Sequence, residues 1–234
     1  QPELDKNPSL YEALRYDNKR KRISEVIQPT HIPGLDIVPA NLELQEYEYD
    51  TPLAATNKSS TEGRLFFTRI SDALKEVDDR YDVVVIDCPP QLGYLTLTAL
   101  TASTSVLITI HPQMLDVMSM SQFLLMLGGI LQSISEAGAE VRLRWFRYLV
   151  TRYEPTDGPQ AQMVGFMQAL FPKQMLKTQM LKSTAIADAG ITNQTLYEVE
   201  RSQFTRSTYD RAIEALNGVN EEIAELINKA WRRK

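Results

Sequence analysis

The chain has 234 residues, 43% of them hydrophobic and 24% charged, which is enough for one large globular domain with a substantial core. Its 25 Lys and Arg against 30 Asp and Glu leave a formal charge of −5, so a global positive field is excluded and any nucleic-acid contact has to come from a local basic patch. A lone cysteine, Cys88, excludes an internal disulfide and suits a reducing cytosol, and with two histidines it argues against a zinc site.

Taken in order, the chain opens on Gln1 rather than Met, which leads to the expectation of a piece of a longer parent. Ser9-x-x-Glu12 has the form of a capping box, with Leu10, Ala13 and Leu14 at helical spacing behind it. Lys19 to Arg22 is a compact basic run, read either as a solvated loop or as a phosphate-contacting one. Leu35 and Ile37 after Pro33-Gly34 suggest a brief strand, and Asn41 can cap an acidic helix reaching Tyr49. The polar stretch 50–60, with Pro52 and paired serines, predicts an internal loop. Phe66, Ile70, Ala73, Leu74 and Val77 then fall on one face of a helix over 62–79.

Val83 to Ile86 is a continuous apolar run that ends at Asp87 and is stopped by Pro89, Pro90 and Gly93. Such a run predicts a strand buried on both faces, with Asp87 at its carboxyl end, where open α/β sheets bind ligands. A carboxylate there can hold a water on Mg²⁺, and the same residue can equally cap the following turn. A helix after Gly93, a strand over 106–110, a long helix stopping near Gly138 and a strand over 143–150 follow. Beyond them lie a helix through Met163 to Phe171, apolar stretches at 175–181 and 186–189, a short strand over 195–199 and a final amphipathic helix. This alternation predicts a single α/β domain over 1–234, with a mostly parallel sheet and helices on both faces. No signal peptide is expected, and no segment is expected to span a bilayer, since Phe123 to Leu131 is interrupted by Gly128 and Gly129.

Other features carry weaker readings. Cys88 and His111 both sit at predicted strand ends, but no third orienting group is evident for a nucleophile and base pair. Met114, Met118, Met120 and Met126 fit core filling or a partner surface. Trp231 to Lys234 fits a charged helix end better than a membrane contact.

The stretch Asp82 to Gly93 resembles the Walker B segment of the ParA family of partition ATPases, in which an apolar strand, Asp, a small residue and Pro-Pro lead to Gly and a helix. Ile110-His111-Pro112, Leu149 to Tyr153, and Ile186 to Ala189 resemble later segments of that family in the same order, and the tail from Arg206 to Leu216 most resembles the RepA-type partition proteins of repABC plasmids. The resemblance implies a P-loop NTPase-like fold here lacking the first strand and phosphate loop, since no G-x-x-x-x-G-K-[ST] occurs in the sequence. It implies ATP and Mg²⁺ as cofactors of the complete protein, with this chain alone inactive. Asp87 would act on the metal through water, Pro89, Pro90, Gln91 and Gly93 would form the γ-phosphate-sensing switch, and Thr151 and Arg152 would lie near the adenine. Lys182, Arg201, Arg206 and Arg211 would contact DNA non-specifically, with Lys173 and Lys177 behind them. The implied partners are a ParB/RepB-type centromere-binding protein, DNA and a second copy in an ATP-bound homodimer, in the cytoplasm on the nucleoid, without stable membrane association. A MinD-like membrane-cycling regulator and a non-enzymatic remnant of the fold are the alternatives.

Overall fold

The computed structural model describes residues 8–56, 65–136, 138 and 143–231. They fall into two compact units, one made of residues 1–103 and 127–142, the other of 104–126 and 143–234.

In the first unit, helix α1 (Leu10–Leu14) starts at the predicted capping box: Glu12 accepts from the Ser9 amide at 2.7 Å and from the Ser9 hydroxyl at 2.8 Å. Strands β1 (Gln28–Pro29) and β2 (Asp36–Ile37) form a short antiparallel pair. Asn41 caps a 3₁₀ turn (Leu42–Gln45) through the Glu43 amide, 3.1 Å away, and the turn runs into α2 (Glu46–Thr56). Helices α3 (Arg69–Leu74) and α4 (Tyr94–Ala102) complete the body. Tyr11, Leu14, Tyr47, Ile70 and Ala99 pack together as its core. Tyr47 stacks on Tyr16 at 5.8 Å, and the Arg69 guanidinium lies 4.0 Å from the Tyr16 ring centroid.

The second unit is built on β3 (Ser105–Ile110) and β4 (Trp145–Val150), parallel and in register from Ser105 opposite Trp145 to Ile110 opposite Val150. Residues 174–182 run along β4, where Met180 donates to the Val150 carbonyl and Tyr153 to that of Met180, with isolated parallel bridges at Met175 and Leu181. Helices α6 (Gly158–Leu170), α7 (Thr184–Ile191) and α8 (Arg206–Trp231) follow. Val150, Val164, Met167 and Tyr148 form the core beside β4, and Ala185, Ala189, Leu196, Val199 and Ala212 form another under α7 and α8. The fold class is α/β, as the alternation predicts.

Helix α5 (Met114–Glu136) belongs to both units by sequence. Val117 and Met120 pack in the second, Ile134 in the first. At 23 residues with a mean hydropathy of 1.6 over its most apolar stretch, it is long and apolar enough to cross a membrane by length and composition. That corrects the expectation that no segment is, because Gly128 and Gly129 do not interrupt the helix. Its uncharged face carries exposed Met114, Leu115, Met118, Leu125 and Met126.

Three other expectations are overturned. Residues 83–86 form no strand, and Val83, Val84 and Val85 are exposed, Val85 at 88%. A buried parallel strand needs neighbours on both edges, and among the described residues of the first unit β1 and β2 pair only with each other. Residues 50–56 are helical rather than loop, because Tyr47 and Thr51 are fully buried and anchor α2 despite Pro52; residues 57–60 of that loop, like 62–64 of the next predicted helix, lie outside the described residues. Residues 195–199 form a turn rather than a strand. The Glu198 carboxylate accepts from the Thr195 amide and hydroxyl at 2.8 and 2.7 Å, and Leu196 and Val199 fill the core below.

Candidate functional site

The segment from Asp87 to Gly93 is shaped by what lies at its end. Gly93, extended at φ −103°, is the N-cap of α4, and the first amides of a helix have no partner within it. Glu48 of α2 supplies one: its two carboxylate oxygens accept from the Tyr94 and Leu95 amides, each at 2.8 Å. A negative charge at a helix N-terminus is also favoured by the macrodipole. The placement follows from Tyr47 and Thr51, whose burial fixes the turn of α2 that carries Glu48. Both Glu48 oxygens lie 2.6 Å from where a side chain at Gly93 would begin, so glycine leaves the room that the clamp occupies. Within the segment, the Gln91 carbonyl accepts from the Thr96 hydroxyl at 2.6 Å.

Upstream of this clamp, Asp87, Pro89, Pro90 and Gln91 are exposed. Among the described residues no amide donates to Asp87, so its carboxylate is not spent as a turn cap. Nor do the described residues contain a cluster of three or more His, Cys, Asp and Glu able to hold a metal ion. One carboxylate fits Mg²⁺ held through water, an ion that keeps several waters and takes few protein ligands beside its phosphates. The Cys88 thiol is pushed up from its ordinary value by desolvation and by the Asp87 charge, the reverse of what an activated nucleophile requires.

In the second unit, Thr151 and Arg152 follow β4 directly. The Thr151 amide donates to the Ile110 carbonyl at 2.8 Å, and Arg152 is left-handed at φ 54°. Buried Gln160 accepts from the Glu154 amide at 3.0 Å and donates to Asp157 at 3.1 Å, holding the loop after Arg152 in place. Lys182 pairs with Glu154 at 2.9 Å and Arg201 with Asp210 at 2.6 Å, while Arg211, Lys173 and Lys177 are exposed; the Arg206 side chain lies outside the described residues. Two of the basic residues read as DNA contacts are therefore already paired. Glu48, Glu154 and Gln160 were missed in the sequence, since no local spacing links Glu48 to Gly93 or Glu154 to Lys182.

The profile of the AAA domain family matches residues 2–137. The chain belongs to the AAA domain family. Within it the chain is of the ParA type. It is 76% identical over its whole length to a Sinorhizobium fredii protein named "Putative replication protein A", of which it covers 58%. It is 28% identical to a "ParA family protein" of Chlamydia trachomatis, over 91% of this chain and 78% of that protein. Among solved structures, it is similar to cobyrinic acid a,c-diamide synthase from Mycobacterium smegmatis with a bound ATP analogue and magnesium, at 25% identity and a TM-score of 0.62, over 77% of this chain and 65% of that one. The chain thus spans about three fifths of the first relative's length. The fold of this AAA-domain chain is that of the P-loop NTPases, as its ParA-like segments imply.

Proposed function

We propose that the protein to which this chain belongs is a plasmid-partition ATPase, a switch that binds DNA when ATP-bound and lets go after hydrolysis. The observation that carries this reading is the Asp87 to Gly93 segment, an accessible carboxylate and a Pro-Pro turn that end on the Glu48-clamped start of α4, in a chain of ParA type. Similarity to a replication protein and to ParA family proteins supports partition as the process. A magnesium-bound nucleotide analogue in a structure of similar fold supports ATP and Mg²⁺ as cofactors.

In this reading Asp87 would hold Mg²⁺ through a water, and the Pro89, Pro90, Gln91 and Gly93 turn would couple the γ-phosphate to α4. Thr151 and Arg152, on the pinned loop after β4, would lie near the adenine. Bound ATP would supply the phosphoryl group that is transferred to water. These residues contain no phosphate loop, so the backbone cradle for the triphosphate comes from the rest of the protein and this chain alone is inactive. The ATP-bound homodimer coats the nucleoid in the cytoplasm, and a ParB/RepB-type centromere-binding protein stimulates its release. The uncharged exposed face of α5 supports association with a second copy. A membrane anchor in α8 finds less support, because Ala212, Ala215 and Val219 already bury its apolar face.

The test is Mg²⁺-dependent ATP turnover by the full-length protein, by its Asp87→Ala variant and by this chain alone. The full-length protein turns over ATP, Asp87→Ala loses roughly 10–100-fold, and the chain alone gives none. A full-length protein without ATPase activity sinks the reading.

A further inference from the structure

Lys19, Arg20, Lys21 and Arg22 lie between α1 and the 3₁₀ turn Ile23–Glu25, all exposed, and form the longest unbroken run of cations in a chain of charge −5. The backbone of the run is fixed. The Lys19 amide donates to the Asp17 carboxylate at 3.1 Å, Arg20 to the Asp17 carbonyl at 3.3 Å, Lys21 to the Glu12 carbonyl at 2.9 Å and Arg22 to the Glu25 carboxylate at 2.9 Å. The neighbouring acids are engaged as well: Asp17 pairs with Arg15 at 2.6 Å, Asp72 with Lys75 at 2.7 Å, Glu76 with Arg22 at 3.2 Å, and Glu12 holds the capping box. Among the described residues neither Lys19 nor Lys21 forms an ion pair. Beside the run is a cleft of about 300 Å³, with Arg20 and Lys21 on its lining, Arg69 and Asp72 of α3 in its wall, and Glu76 in the 3₁₀ turn that follows α3.

We propose that this loop is a contact for the phosphate backbone of DNA, on the N-terminal half of the chain and separate from the C-terminal candidates. The inference rests on the DNA-binding reading above. A run already rigid gives up little conformational freedom on binding. Exposed lysines act on phosphates as point charges without reading sequence. The distribution of charge selects a ligand lying across the loop. Asp72 and Glu76 within the cleft disfavour a polyphosphate sunk wholly into it, whereas a strand crossing Lys19 to Lys21 meets three consecutive cations, with the adjacent Asp17 carboxylate already held by Arg15.

The experiment measures binding of a random-sequence duplex to the full-length protein with ATP and Mg²⁺, between 50 and 200 mM salt, by fluorescence anisotropy. Each lost phosphate contact flattens the plot of log K against log salt by about 0.9. The Lys19→Ala/Lys21→Ala variant binds more weakly on every sequence, with a slope shallower by about 1–2, and Lys19→Arg/Lys21→Arg restores both. Unchanged affinity and slope in the alanine variant, while the wild type binds, overturn this proposal and leave the DNA-binding reading standing. Equal losses in the alanine and arginine variants also overturn it, since charge is then not the cause. A wild type that binds no DNA removes the DNA-binding reading itself, and this proposal with it.

Discussion

Glu48 and Gly93 form a matched pair: the carboxylate that closes the N-terminus of α4 occupies the space a β-carbon at Gly93 would need, 2.6 Å from both oxygens. Glu48→Ala removes the clamp and costs about 1 kcal/mol, the ordinary worth of a helix cap. Gly93→Ala costs more, because the clash also expels the carboxylate. In a double-mutant cycle read by urea denaturation, Gly93→Ala is milder in the Glu48→Ala background than in the wild type, since the obstructing group is gone. Strict additivity would show that the two residues do not compete for that space.

The exposed valines make a second prediction about the isolated chain. Val85→Ala changes stability by no more than about 0.5 kcal/mol, as surface substitutions do. Val150→Ala, at a 1%-exposed position in β4, costs roughly 2 kcal/mol. Thermal unfolding of the two variants side by side checks the contrast, and a Val85 cost equal to that of Val150 would show that 83–86 is buried in solution.

Glu222 gives a pH dependence. Partial burial works against its charge, but hydrogen bonds from Thr178 and from the Lys177 and Thr178 amides, at 2.9 and 2.7 Å, outweigh burial and hold its pKa below the ordinary glutamate value of 4.5. A folded-state pKa below the unfolded one adds stability that is full above the unfolded value and disappears as pH falls through the folded one. Denaturation curves of wild type and Glu222→Gln therefore differ most above pH 4.5 and converge in acid. A gap that stays constant down through that range would count against the assignment.

For the C-terminal patch, Arg206→Ala with Arg211→Ala lowers DNA affinity of the full-length protein and makes its salt dependence shallower. Lys182→Ala has a smaller effect on binding, because its charge is already matched by Glu154. Competition binding at two salt concentrations separates these variants, and an Arg206/Arg211 variant identical to wild type removes the patch.

Much of the organisation was legible locally. The capping box at Ser9, the Asn41 cap, the breaker-bounded run that became β3, the aromatic and β-branched run that became β4, and the periodicity of α5 and α8 all depend on residues a few positions apart. Where distant burial decided, local reading failed: Pro52 signalled a loop, yet the buried Tyr47 and Thr51 carry α2 through it. The turn at 195–199 has β-like residues, but side-chain bonds to Glu198 satisfied its backbone before any strand could.

Residue types and local spacing supply the chemistry on offer: an acid before a proline pair, basic residues in clusters, and strands that alternate with helices in a chain of ParA type. How that chemistry is held depends on contacts between distant segments. Glu48 reaches α4 from 46 residues away in sequence, Glu154 neutralises Lys182, and Val83 to Val85 lie open because a strand is buried by neighbours that its own residues do not provide.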